Sequence, residues 1–157
     1  MHGEAMQWVQ MHAPRHAVSV LEVGSFNVNG EVRQFFAGRY LGIDIKPGPG
    51  VDVVADASTY EPSELFDVVV CCEVLEHTVV WPGIVAMCGR ALRPGGALIL
   101  TCAGPGRAPH GAAGGDVGSE FYANVSADEL EAETSKWGDG VVRQFGHDTQ
   151  CYVIKRG

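Results

Sequence analysis

Short apolar runs and helix-compatible segments follow one another along most of the chain. Several runs are dominated by Val, Ile, Leu or Cys, which is typical of strands. The predicted strands are residues 17–23, 40–45, 51–55, 66–72 and 97–102. Helical spacing of apolar residues predicts helices at residues 30–37 and 81–92. Because continuous apolar strands alternate with helices, the pattern indicates a parallel sheet covered on both faces.

The last third of the chain has a different pattern. Glycine is frequent between residues 104 and 118, which predicts a mobile loop. Ser126 is followed three residues later by Glu129, and this capping box predicts a helix that runs to Trp137. Beyond it, two apolar runs at residues 141–145 and 151–154 flank a turn at residues 146–149. They predict an antiparallel pair at the end of the chain.

One connection departs from the alternating pattern. Only residues 46–50, with the sequence KPGPG, separate the second and third predicted strands. A parallel crossover normally takes about a dozen residues, usually as a helix. Because two prolines and two glycines exclude a helix, we expect a bare loop there. No internal repeat or linker divides the chain, so one domain is expected over residues 1–157.

Composition narrows the class of protein. The chain has 157 residues, of which 46% are hydrophobic, and no apolar run approaches the ~18 residues of a membrane span. The first residues lack the pattern of an export signal, and five cysteines occur without zinc-site spacing, so we expect reduced thiols and a cytoplasmic location. The net charge of -8 disfavours nucleic acid and favours a small-molecule or peptide partner. A homodimer is left open.

The turn after the first predicted strand carries the first candidate chemistry. Gly24 lets a backbone approach a ligand, and Asp44, twenty residues later, can accept hydrogen bonds from both hydroxyls of a ribose. Together they indicate an adenosine-containing ligand. A dinucleotide fingerprint would place glycine also at positions 26 and 29, where Phe26 and Asn29 stand, so NAD is less favoured.

Four ordered motifs extend this pattern. They are EVG at residues 22–24, Asp44 with DA at residues 56–57, FDVVVCCEVLEH at residues 66–77, and RALRPGG at residues 90–96. In this order the motifs resemble the class I S-adenosylmethionine-dependent methyltransferases of type 11. The resemblance implies an α/β fold, a Rossmann-like three-layer sandwich whose seven-stranded, mostly parallel sheet ends in an antiparallel last strand. It also implies a cofactor-binding core at residues 17–102, followed by a substrate loop, helix and terminal hairpin at residues 103–157.

The resemblance assigns roles to particular residues. S-adenosylmethionine would be bound by Glu22, Gly24, Ser25, Phe26, Asp44, Ile45, Asp56, Ala57, Cys72 and Glu73. A carboxylate such as Glu22 complements the methionyl amine of the cofactor. His77 and His110 are candidate catalytic residues because an imidazole titrates near neutral pH and can act as a general base.

A metal site is not expected, because Cys71 and Cys72 point to opposite faces of a strand and no zinc-type spacing follows. The favoured function is methyl transfer by in-line displacement to a small-molecule or peptide acceptor. Two alternatives stay open. One is a non-catalytic S-adenosylmethionine-binding or regulatory subunit, and the other is an NAD-dependent oxidoreductase.

Overall fold

The fold is built around a seven-stranded sheet in a computed structural model that describes residues 3–157. The helices are α1 (Gly3–His12), α2 (Trp81–Ala91) and α3 (Ala127–Thr134). The strands are β1 (Val18–Val23), β2 (Gly38–Asp44), β3 (Val53–Val54), β4 (Phe66–Cys72), β5 (Leu92–Ala103), β6 (Gly138–Phe145) and β7 (Asp148–Lys155). Their order across the sheet is β3-β2-β1-β4-β5-β7-β6.

Strand direction confirms the predicted fold class. Strands β1 to β5 are parallel to one another, whereas β7 is antiparallel to both β5 and β6. The chain moves outward from β1 through β2 to β3 and then returns to β4 on the other side of β1. The strand order therefore reverses between β1 and β4. In open α/β sheets, ligands bind outside the carboxyl ends of the strands at such a reversal.

Helices cover the two faces of the sheet, which gives the expected three layers. On one face, Trp8 and Val9 of α1 pack against strand residues such as Val20, Val70 and Ile99. The Trp8 indole N–H donates a hydrogen bond to the Cys151 carbonyl at 3.1 Å, which anchors this helix across β7. On the other face, α2 and α3 bury their apolar residues against the same strands.

One predicted helix was wrong, and one observed helix was not predicted from the sequence. The predicted helix at residues 30–37 is a single 3₁₀ turn at Arg33–Phe35. Only seven residues separate Gly30 from β2, and the Asn27 side chain caps the Gly30 N–H at 2.9 Å, so the segment is too short to repay helix nucleation. Conversely, the pattern gave no helix before β1, although residues 5, 8 and 9 have helical spacing and are buried in α1.

The KPGPG segment is a loop, as predicted. It contains turns and bends without a helix, and it leads into a third strand of only two residues. A Cβ atom on Gly48 would lie 2.1 Å from Cε2 of Phe26. The loop thus packs directly on the Phe26 ring, and glycine at position 48 provides the space for that ring.

The carboxyl-terminal elements follow the predicted order with different limits. The capping box is present, since Ser126 N–H donates to Glu129 Oε2 at 2.8 Å and Glu129 N–H donates to Ser126 Oγ at 3.3 Å. Helix α3 ends at residue 134, before the predicted Trp137. The hairpin turn is two residues long, shorter than predicted, because β7 already begins at Asp148. Within residues 3–157, no helix combines the length and apolarity needed to cross a bilayer.

Candidate functional site

A cleft of about 610 Å³ opens at the carboxyl edge of β1, β2 and β4, where the strand order reverses. This volume is in the range of small-molecule sites, roughly 300–1,000 Å³. The cleft is lined by all twelve candidate residues: Glu22, Gly24, Ser25, Phe26, Asp44, Ile45, Asp56, Ala57, Cys72, Glu73, His77 and His110. Residues from five separate segments of the chain are therefore brought to one site.

The turn after β1 forms the floor of the cleft. Gly24 has a φ of +77°, and its N–H, like that of Ser25, donates to the Ile43 carbonyl at the end of β2. A Cβ atom on Gly24 would lie 2.2 Å from Cγ2 of Val74. Glycine is thus required here by backbone conformation and by contact with the segment after β4. The sequence had indicated close approach to a ligand only.

Glu22 is a buried acid at the wall of the cleft. Its side chain is 5% exposed, and Oε2 accepts a hydrogen bond from the Tyr40 hydroxyl at 2.9 Å. Burial raises the pKa of Glu22 to about 7, although the Tyr40 hydrogen bond and the Arg33 charge act in the opposite direction. A cationic ligand group would favour the ionised form. The arrangement is therefore suited to an amine.

Asp44 tethers the turn through both carboxylate oxygens. Oδ2 accepts from the Phe26 N–H and Oδ1 accepts from the Lys46 N–H, each at 3.1 Å. Because each carboxylate oxygen has a second lone-pair site, the group can still accept bonds from two ligand hydroxyls. Asp44 consequently has a structural role beside the predicted one.

Asp56 lies on the opposite side of the cleft, in the turn after β3. Its Oδ1 accepts from the N–H and the hydroxyl of Ser58 at 2.8 and 2.7 Å. These bonds hold the pKa of Asp56 below its usual range. Asp56 is thus an ionised turn residue that also faces the cleft, with Ala57 buried beside it.

Glu73 follows β4 in a strained backbone conformation. Its φ of +58° is uncommon for a residue with a side chain, and such strain is found at functional sites. Thr101 Oγ1 donates to Glu73 Oε1 at 3.1 Å, and Arg107 Nη2 lies 3.5 Å from Oε2. Arg107 also forms an ion pair with the buried Asp148. Arg107, the one arginine or lysine between residues 104 and 118, was not predicted as a site residue from the sequence.

Three aromatic rings meet at the other end of the cleft. The ring centroids of His77 and His110 are 5.2 Å apart, and Tyr122 lies 5.6 Å from the first and 5.0 Å from the second. Partial burial, together with the neighbouring His110, lowers the pKa of His77. The neutral ring that results can accept a proton. The glycine-rich loop lines the cleft as far as Gly114, whereas Tyr122 contacts both histidine rings without lining the cleft.

Glu76 is a second buried acid beside these rings. It is fully buried, and Oε1 accepts from the Ala103 N–H at 3.2 Å. Burial raises the pKa of Glu76 to about 8. The sequence analysis included Glu76 only as part of a motif, because nothing in the pattern showed that its side chain turns into the protein.

Comparisons with known proteins agree with this geometry. The family model described as "Methyltransferase domain" matches residues 21–100, about half of the chain. The ubiquinone biosynthesis O-methyltransferase of Thiobacillus denitrificans (strain ATCC 25259 / T1) is 31% identical over 109 residues. That match covers 58% of this chain and 47% of the relative, so the chain spans about half the length of the curated relative that it matches.

Solved structures share the fold. N-methyltransferase NodS from Bradyrhizobium japonicum WM9, in complex with S-adenosylhomocysteine, has a TM-score of 0.69 at 17% identity, with 97% of this chain and 85% of that chain covered. The 1,6-didemethyltoxoflavin-N1-methyltransferase from Burkholderia thailandensis has a TM-score of 0.70 at 16% identity, with 98% and 77% covered. Together with the match to residues 21–100, these findings show that the chain belongs to the methyltransferase domain family.

Proposed function

We propose that this chain binds S-adenosylmethionine in the cleft and transfers its methyl group to a small-molecule or peptide acceptor. The observation that carries the proposal is the convergence of all ten predicted cofactor residues on one cleft. They include two acids suited to opposite ends of the cofactor, Glu22 for a cation and Asp44 for hydroxyls. The structural neighbours with S-adenosylhomocysteine bound support this assignment.

The positions of the residues suggest how the cofactor lies. Asp44 would accept the ribose hydroxyls, and Ile45, Asp56 and Ala57 would contact the adenine on the β3 side. Glu22 would receive the methionyl ammonium at the end of β1. The remaining residues of the set would surround the methionine part: Gly24, Ser25, Phe26, Cys72 and Glu73. Residues 17–102 would thus bind the cofactor, and residues 103–157 would supply the acceptor side.

Methyl transfer from this cofactor needs alignment above all. The acceptor nucleophile forms a bond to the methyl carbon while the carbon–sulfur bond breaks, which leaves S-adenosylhomocysteine. Holding the two reactants in line accounts for most of the rate, and a base is needed only when the acceptor must lose a proton. His77 and His110 stand at the open end of the cleft and are the groups proposed to take that proton.

The acceptor would be small. The neighbour from Burkholderia thailandensis holds 1,6-didemethyltoxoflavin beside S-adenosylhomocysteine, which supports an acceptor of that size class here. The net charge of -8 likewise favours an acceptor other than nucleic acid. All five cysteines are free and buried, which fits the proposed cytoplasmic location because thiols stay reduced there.

Titration calorimetry with S-adenosylmethionine, S-adenosylhomocysteine and NAD tests the cofactor assignment. Two hydrogen bonds to a carboxylate are worth about 1.5–3 kcal/mol each, so Asp44→Ala should weaken cofactor binding at least ~100-fold. Asp139→Ala, which removes an exposed carboxylate on β6, is the matched control and should bind normally. Tight NAD binding without sulfonium binding, or unchanged binding by Asp44→Ala, would refute the proposal.

A screen of acceptors then tests catalysis. Release of S-adenosylhomocysteine with any acceptor, measured by mass spectrometry, identifies an enzyme and the acceptor class together. Binding of the cofactor without product across hydroxyl, amine, thiol and carboxyl acceptors would instead favour the non-catalytic subunit.

A further inference from the structure

Glu76, His77 and His110 form a cluster at the acceptor end of the cleft, and we propose that this cluster binds a divalent transition-metal ion such as Zn²⁺. One ligand atom from each of the three residues lies within 4.8 Å of the other two. Two imidazoles and one carboxylate are a ligand set that suits zinc and its neighbours in the first row. No metal was expected from the sequence because only the cysteines were considered, and none of them belongs to this cluster.

Two buried polar atoms of the cluster that lack a partner among the described residues are the second observation. Glu76 is fully buried, and its Oε2 has no hydrogen-bond partner among the described residues. His77 Nδ1 is also buried without a partner in that part of the chain. Buried polar atoms are normally paired, so each unpaired atom calls for an explanation. A cation between Glu76 and His77 would satisfy both atoms at once.

The ring of His110 makes a hydrogen-bond contact of the kind that metal-binding histidines make with their second nitrogen. Its Nδ1 lies 3.2 Å from the Ala108 carbonyl, so a proton on Nδ1 would be donated to that oxygen. The lone pair would then be on Nε2. Histidines that bind metals usually donate their other N–H to a carbonyl or carboxylate, and this fixes both tautomer and ring orientation.

Only a small movement is needed to close the site. At zinc–ligand distances of about 2.0–2.1 Å, tetrahedral ligand atoms lie roughly 3.4 Å apart. His77 and Glu76 belong to the 3₁₀ turn Leu75–His77, which is fixed by the Ala103 N–H. His110, by contrast, lies within the glycine-rich loop. The His110 side chain would therefore make most of the movement that brings the three ligand atoms together. A bound ion would then connect this loop to the segment after β4.

An ion in this cluster would lie where it could act on the methyl acceptor. Three protein ligands leave a coordination position for water or another group. Both histidines line the cleft, so that position would face the acceptor. A cation there would bind an acceptor oxygen and favour its deprotonation, in place of a histidine base. This last step depends on the proposed function, whereas metal binding itself does not.

Metal binding is tested on the full chain without cofactor. After treatment with a chelator, the protein is titrated with Zn²⁺ by calorimetry and with Co²⁺ by visible absorption. We expect one ion per chain with a Kd of about 1 μM or below, and tetrahedral Co²⁺ bands. His110→Ala should weaken binding at least ~100-fold, and Glu76→Gln should do so while keeping side-chain volume.

The matched control is His147→Ala, which removes an exposed histidine from the β6–β7 turn. It should bind Zn²⁺ as the unmodified chain does. Circular dichroism identifies any variant that is unfolded, and the loop variant His110→Ala keeps the test valid if Glu76→Gln does not fold. Absence of saturable binding, or equal Zn²⁺ affinity in His110→Ala and the unmodified chain, would overturn the proposal. Either result leaves the cofactor titration unaffected.

Discussion

Replacing Glu22 with glutamine should make the protein less sensitive to pH. The folded chain holds the pKa of Glu22 at about 7, against an ordinary value of 4.5, chiefly through burial. The folded state therefore keeps a proton that the unfolded chain loses between pH 4.5 and 7. Stability from this group is highest below pH 4.5 and falls as pH rises through 7. Glutamine keeps an oxygen for the Tyr40 hydroxyl and carries no charge at any pH.

The size of the effect follows from the shift. A rise of about 2.5 pKa units at 1.36 kcal/mol per unit costs the unmodified chain about 3 kcal/mol above pH 7. Chemical denaturation of both proteins at pH 4.5 and pH 8 measures this directly. The free energy of unfolding of Glu22→Gln, relative to the unmodified chain, should rise by about 3 kcal/mol between these two values. Other titrating groups are common to both proteins and cancel.

The raised pKa of Glu22 should also make cofactor binding depend on pH. If the methionyl ammonium pairs with ionised Glu22, binding at pH 6 must release close to one proton, and affinity should fall about tenfold per pH unit below 7. Calorimetry in two buffers of different ionisation enthalpy counts that proton. Glu22→Gln should bind more weakly and release none from this site.

If the stability difference between the two proteins were the same at pH 4.5 and pH 8, the pKa of Glu22 would not be raised in the folded chain. An equal proton release by both proteins would show instead that Glu22 does not meet the amine.

Three further changes test the architecture. Gly24→Ala should destabilise by about 2–4 kcal/mol through strain and its clash with Val74, and Val74→Ala should restore part of this in a double-mutant denaturation cycle. Arg107→Met should cost about 3–5 kcal/mol in urea denaturation because the buried Asp148 carboxylate loses the Arg107 charge. A loss below ~1 kcal/mol would argue against the ion pair. Ser126→Ala removes the N-cap of α3 and should lower the thermal midpoint by the amount that corresponds to a loss of about 1 kcal/mol in the free energy of unfolding. Ser126→Asp keeps an N-cap and should not lower the midpoint.

Local signals in the sequence predicted the elements that depend on local chemistry. The run at residues 66–72 became β4 with the same limits, because six of its seven residues are apolar and three of these are valines, which favour strands. The capping box fixed the start of α3 for the same reason, and the proline-glycine loop could not have been a helix. In each case neighbouring residues alone decide the conformation.

Tertiary packing decided the features that the sequence did not show. Residues 30–37 have helical spacing, but the Asn27 side chain caps the Gly30 N–H and the chain forms only one 3₁₀ turn before β2. The side chain of Glu76 turns into the protein, where its carboxylate accepts a hydrogen bond from the Ala103 N–H at the end of β5. Arg107 reaches Glu73 and Asp148 across 34 and 41 residues of sequence. Such long-range pairings leave no periodic signal in the chain.

The buried thiols can be used to measure local opening of the sheet by chemical labelling. Cys71, Cys72, Cys102 and Cys151 lie on three central strands, and Cys88 lies on α2. An alkylating reagent can reach most of these thiols only when the surrounding structure opens. The labelling rate of each cysteine therefore measures the free energy of local opening at its own strand or helix. Cys72 alone among them lines the cleft. Its protection by a bound ligand would therefore map occupancy of the cleft without any introduced probe.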